Sequence, residues 1–261
     1  MRHSWIIVEK EWREIFKNKL VLFTVVLMPL LFTAIPLIML ASMRGAVTGT
    51  QAADVPEAFF ALCGNVNGGD CIQIYMLSQF LIMFLMIPVM VPVTIGAYSV
   101  VGEKTTRSLE PLLATPVTTM ELLAGKGLAA VIPAVLATWA GFGLLLALMP
   151  LTGASQAIQR FTTQPHWLLG ILLIGPLMAI LSILVTLMVS SRSNDPRAAQ
   201  QLASILIVPV MALFFLQIFG KLMLSVPLML GFAVALVLLS VLALFLAAKV
   251  FQREAILTKW R

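Results

Sequence analysis

The sequence predicts an all-α polytopic membrane protein: six transmembrane helices behind an N-terminal amphipathic helix, with both termini in the cytoplasm. Three observations carry this. Hydrophobic residues fill 61% of the 261 positions and only 11% are charged, a composition outside the soluble globular range. Uncharged runs cover 20–43, 71–102, 127–159, 161–191, 198–220 and 222–248, and the shortest has 23 residues. A membrane helix needs about 20, whereas a barrel strand would take about 10 and alternate in polarity. Finally, 14 of the 17 Lys and Arg fall in the N-terminal tail, the loops after spans two and four, and the C-terminal tail. Only Arg44, Arg160 and Lys221 lie on the opposite side. The positive-inside rule then places both termini in the cytoplasm of a cell (inner or plasma) membrane. The net charge of +6 suits anionic lipid headgroups. Nucleic acid is a poor partner for cations spread thinly along membrane boundaries.

The elements follow in order. Residues 1–19 form a cytoplasmic segment in which Trp5, Val8, Trp12 and Ile15 recur at helical spacing, with Glu9, Lys10, Arg13, Glu14 and Lys17 on other faces. That pattern predicts an amphipathic helix in the membrane interface, with Glu9–Arg13 as a favourable i,i+4 pair. The six-helix domain covers 20–248, with spans at about 20–41, 75–98, 127–148, 167–189, 197–219 and 227–248. A tail, 249–261, returns to the cytoplasm. Tyr75 and Tyr98, the chain's two tyrosines, lie 23 residues apart, roughly 34 Å on a helix, and would mark both interfaces of span two. Trp167 marks the entry to span four. Asp195-Pro196 reads as a helix cap and first turn, opening span five. Prolines occur in or at the edge of every span, as kinks or simply because membrane helices tolerate them. Span three carries Ala130, Ala134 and Thr138 beside Ala129, Ala137 and Gly141, small faces suited to close packing.

Cys63 and Cys71 share the external loop between spans one and two, joined by turn-forming Gly-Asn-Val-Asn-Gly-Gly-Asp. An oxidising exterior favours a disulfide there; two unpaired thiols are the alternative. A metal site is disfavoured, because neither histidine lies in that loop.

Several chemistries are missing. No Asp, Glu, Lys or Arg falls inside a predicted span, which argues against an ion-coupled carrier. The polar groups within spans are hydroxyls and amides. Of these, Ser78, Gln79, Ser204 and Gln217 are the candidates for a substrate path, with helix–helix hydrogen bonding as the default role. Gly125-Lys126-Gly127 lacks the remainder of a phosphate-binding loop. No nucleophile–base or metal constellation is present, so any uphill movement must draw its energy from a partner chain.

The most informative polar segment follows span two: Glu103-Lys-Thr-Thr-Arg107-Ser-Leu109-Glu110-Pro-Leu112-Leu113-Ala-Thr115-Pro116. Glu110-Pro111 before two leucines has the form of a helix start. With the subsequent Glu121-Leu-Leu-Ala-Gly-Lys126, the interfacial helix and the six spans, the chain resembles the permease subunits of type-2 ABC transporters. That family's loop reads approximately Glu-x-x-x-Gly-Thr-Leu-Glu-x-Leu-Leu-x-Thr-Pro; here Arg107-Ser108 replaces Gly-Thr.

The resemblance implies that Leu109–Leu113 belongs to a coupling helix docking on a separate cytoplasmic ATPase. Glu103, Arg107, Leu109, Glu110, Leu112, Leu113, Thr115 and Pro116 are then the coupling residues. It also implies that this chain is not itself an enzyme and binds no cofactor of its own, ATP and Mg residing on the partner. A second permease copy would complete the path. Apolar spans point to export of an amphiphilic drug, lipid or glycan-type substrate. Sodium export, or a non-transporting scaffold role, are the alternatives.

Overall fold

The structure, a computed structural model, describes residues 2–15, 17, 19–43, 68–105, 118–222 and 224–250. Every regular element among them is helical. Helix α1 (Arg2–Ile15) leads into α2 (Lys19–Ser42), α3 (Gly68–Thr105) and α4 (Thr119–Leu148). Two short helices, α5 (Gln156–Thr162) and α6 (Pro165–Leu169), precede a π-helical turn (Gly170–Ile174) and α7 (Gly175–Arg192). Then α8 (Pro196–Ala203), a 3-10 turn (Ser204–Leu206) and α9 (Ile207–Ile218) form span five, and α10 (Val226–Val250) is span six. Among the described residues, six stretches are long and apolar enough to cross a membrane.

Span two is the centre of the bundle. Helix α3 packs most extensively on α7, then on α4, α2 and α9, and its apolar residues from Leu77 to Val101 are almost all buried. Small residues allow this closeness, because packing and interhelical hydrogen bonds must replace the hydrophobic driving force inside lipid. A Cβ on Gly96 would sit 2.6 Å from Ile183 Cδ1 and 3.0 Å from Thr186 Cγ2. Ser182 Oγ donates to Val89 O at 2.9 Å on the same seam. Spans one and three meet likewise: Thr33 Oγ1 lies 2.7 Å from Pro29 O and 3.0 Å from Gly141 O. The hydroxyl thus serves both a proline-interrupted turn and the neighbouring helix. By contrast, α10 turns Val234, Leu238 and Phe245 outward, as a lipid-facing helix does.

Two local breaks have clear causes. The π turn at Gly170–Ile174 precedes Pro176, near the start of α7. Proline has no N–H to give and crowds the preceding turn, which the wider turn accommodates. At span five, Asp195 Oδ1 accepts from Arg197 N at 3.0 Å with Pro196 in the first turn, the arrangement its sequence predicts.

Trp167 departs from expectation. It is 0% exposed, stacked on Phe142 at 5.7 Å and edge-on to Phe84 at 6.4 Å. It is a core side chain joining spans two, three and four, not an interfacial marker; three large rings in one cluster bury more area than a single ring at the boundary.

Candidate functional site

The described residues on either side of the polar loop are helical, α3 up to Thr105 and α4 from Thr119. Glu103 is within the last turn of α3, while Arg107, Leu109, Glu110, Leu112, Leu113, Thr115 and Pro116 lie outside the described residues. Immediately after them, Thr118 caps α4. Its Oγ1 accepts from Glu121 N at 3.2 Å, and its own N–H donates to Glu121 Oε2 at 3.0 Å. This reciprocal capping box starts the helix at Thr119, eight residues before the expected start at 127. The Thr-x-x-Glu pattern was the sequence cue.

The earlier start carries Lys126 into the protein. Lys126 Nζ is 2.6 Å from Glu11 Oε1, and both side chains are only 2% exposed. The same ammonium donates to Ser99 Oγ at 2.8 Å. The expectation that no span holds an ionisable residue is therefore corrected: Lys126 lies in the apolar stretch Met120–Thr152. A charge is tolerated there because a carboxylate and a hydroxyl replace its hydration. One polar contact thus ties α1, the end of α3 and the start of α4 together, on both sides of the loop. Glu11 was legible as an anomaly, since it shares the helical face of Val8 and Ile15.

Helix α1 packs on α4. Val8 and Ile15 are buried, and Trp12 Nε1 donates to Ala129 O at 3.0 Å. The apolar stripe is consequently covered by protein over most of its length, where lipid contact was expected. Only Trp5 remains open, 55% exposed and edge-on to Trp12 at 6.0 Å. The exposed pair Arg13–Glu9, at 2.6 Å, forms as the spacing predicts.

The four candidate path residues divide. Gln217 Nε2 donates to Ser78 O at 3.1 Å and to Ser78 Oγ at 3.2 Å, clasping span five to span two. Ser204 Oγ donates to Gln200 O at 2.7 Å, within span five itself. Gln79 differs: it is 8% exposed, and neither end of its amide finds a partner among the described residues. Leaving such a group unpaired costs about 1–3 kcal/mol. Cys71 is buried and is not a free thiol; Cys63 lies outside the described residues. No group of three or more metal-ligating side chains occurs among the described residues.

Six apolar spans, a central span two and an amphipathic helix clamped beside the loop define a multi-pass helical membrane protein. The chain belongs to the ABC-2 transporter family: the model described as ABC-2 family transporter protein matches residues 5–226. Members are membrane components of transporters, typically not themselves catalytic, and generally work with an ATPase subunit. No curated protein matches the chain at a significant level.

Proposed function

We propose that this transporter permease serves an ATP-driven exporter of the cell membrane, coupled through the 102–121 loop to a separate cytoplasmic ATPase that carries ATP and Mg. Two permease copies frame the path, and the cargo is an amphiphilic drug, lipid or glycan-type molecule. The family match across residues 5–226 carries this reading, because it includes the loop with Leu109-Glu110-Pro-Leu112-Leu113. The Lys and Arg distribution supports cytoplasmic termini and hence a cytoplasmic loop. The Glu11–Lys126–Ser99 contact supports a mechanical role for α1, since a push on the loop meets a braced junction. Gln79 is the polar contact assigned to the path, its amide being buried and without a partner among the described residues.

A short helix at Leu109–Leu113 cannot stand alone in water, so docking must stabilise it, with Leu113 as an apolar anchor. Leu113→Asp places an unpaired charge in that contact, at a cost of about 2–5 kcal/mol. The variant should insert normally yet lose ATPase association and substrate-stimulated hydrolysis together. Normal values of both would make the loop a plain linker and favour a scaffold role.

A further inference from the structure

A cavity of about 340 Å³ lies between spans two, four, five and six, at the end of the bundle remote from α1. Its walls are apolar, with Leu85, Met178, Leu213, Leu222 and Phe232 among them. Water needs two to four polar partners, so such a space stays dry. An apolar cavity of roughly 150 Å³ takes up benzene. This one is more than twice that size and within the range of ligand pockets, about 300–1,000 Å³.

The mouth is built. Helix α9 ends at Ile218, and Gly220 just beyond it has a φ of 66°, open to glycine without strain. The N–H groups of Lys221 and Leu222 turn back to Leu216 O at 3.0 and 3.2 Å. This reversal sends Leu222 into the cavity wall and leaves Lys221 exposed beside it. Tyr75 Oη donates to Ile218 O at 2.8 Å, and together with the Gln217–Ser78 clasp it holds the end of α9 against span two. Lys221 is one of only three cations outside the cation-rich segments.

We propose that this cavity holds one acyl chain of an anionic phospholipid whose headgroup phosphate meets Lys221. Acyl chains are the abundant apolar solute around a membrane helix, and the Lys221 ammonium at the mouth favours an anionic headgroup. The site stands whether or not the chain pairs with an ATPase.

The test places the full-length protein in nanodiscs containing phosphatidylglycerol or phosphatidylcholine with a diazirine in one acyl chain, and maps crosslinks by mass spectrometry. Labelling should concentrate on Leu213, Leu222 and Phe232, with phosphatidylglycerol favoured. Gly231→Leu fills the space, since an added Cβ there meets no heavy atom within 4 Å. It should sharply reduce labelling of those residues, spare outward Phe245, and keep thermal stability at or above wild type. Lys221→Gln should remove the headgroup preference, about fivefold. Labelling no stronger than at Phe245, or unchanged by Gly231→Leu, overturns the site. An unaltered headgroup preference in Lys221→Gln overturns the phosphate contact. Labelling of Phe232 in discs holding one copy that disappears in discs holding two copies would assign the space to a second copy instead.

Discussion

Removing one partner from the Glu11–Lys126 pair tests the junction most sharply. In Lys126→Met the Glu11 carboxylate keeps its buried position without its 2.6 Å partner, and breaking a buried pair costs about 3–5 kcal/mol. Against this, α1 is held mainly by Val8, Ile15 and Trp12. Burying two aliphatic side chains is worth about 1.5–3 kcal/mol each relative to water, and less where lipid is the alternative. The penalty therefore matches the docking energy. Helix α1 should detach while the six spans, which do not depend on this pair, stay folded. Hydrogen exchange followed by mass spectrometry should show residues 2–15 losing protection, with α3 and α7 unchanged. Replacing both partners, as in Glu11→Leu with Lys126→Met, removes the orphaned charge and should restore protection. Unchanged exchange in the single variant would show that the pair does not hold α1, as would a double variant no better than the single.

Three further outcomes follow from individual contacts. Gly96→Ala should destabilise by about 1–3 kcal/mol through overpacking, and Ile183→Val should recover part of the loss by withdrawing the nearest methyl; thermal unfolding in detergent reads both. A double-mutant cycle of Ser78→Ala and Gln217→Leu should give a coupling of about 0.6 kcal/mol, and no more than about 1.7. Mass spectrometry of nonreduced, alkylated protein should find Cys63 linked to Cys71, whereas alkylation of both thiols in fresh membranes would exclude the bond.

The spans were legible because burial in lipid demands long uncharged runs, and residues 20–43 or 222–248 satisfy that demand by composition alone. Local caps were legible too, as Asp195-Pro196 shows, since their partners lie within a turn. What escaped were features decided by distant partners. Lys126 reads as a boundary cation until Glu11, 115 positions away, is brought beside it. Trp167 reads as an interfacial ring until Phe84 and Phe142 enclose it. The stripe of α1 fits lipid or a neighbouring helix equally well, and only packing on α4 decides between them. Gln79 and Gln217 look alike in sequence; one is paired across helices and the other is not. The coupling role proposed for Arg107 to Pro116 rests on motif and family, since these positions lie outside the described residues.

The proposed function requires this permease to work through a separate ATPase. Its most direct test is affinity purification of the tagged chain from native membranes in mild detergent, followed by native mass spectrometry. The wild-type chain should yield an assembly of two permease and two ATPase copies, and Leu113→Asp permease without ATPase. A wild-type chain that purifies with no ATPase, or a variant that retains it fully, would contradict it.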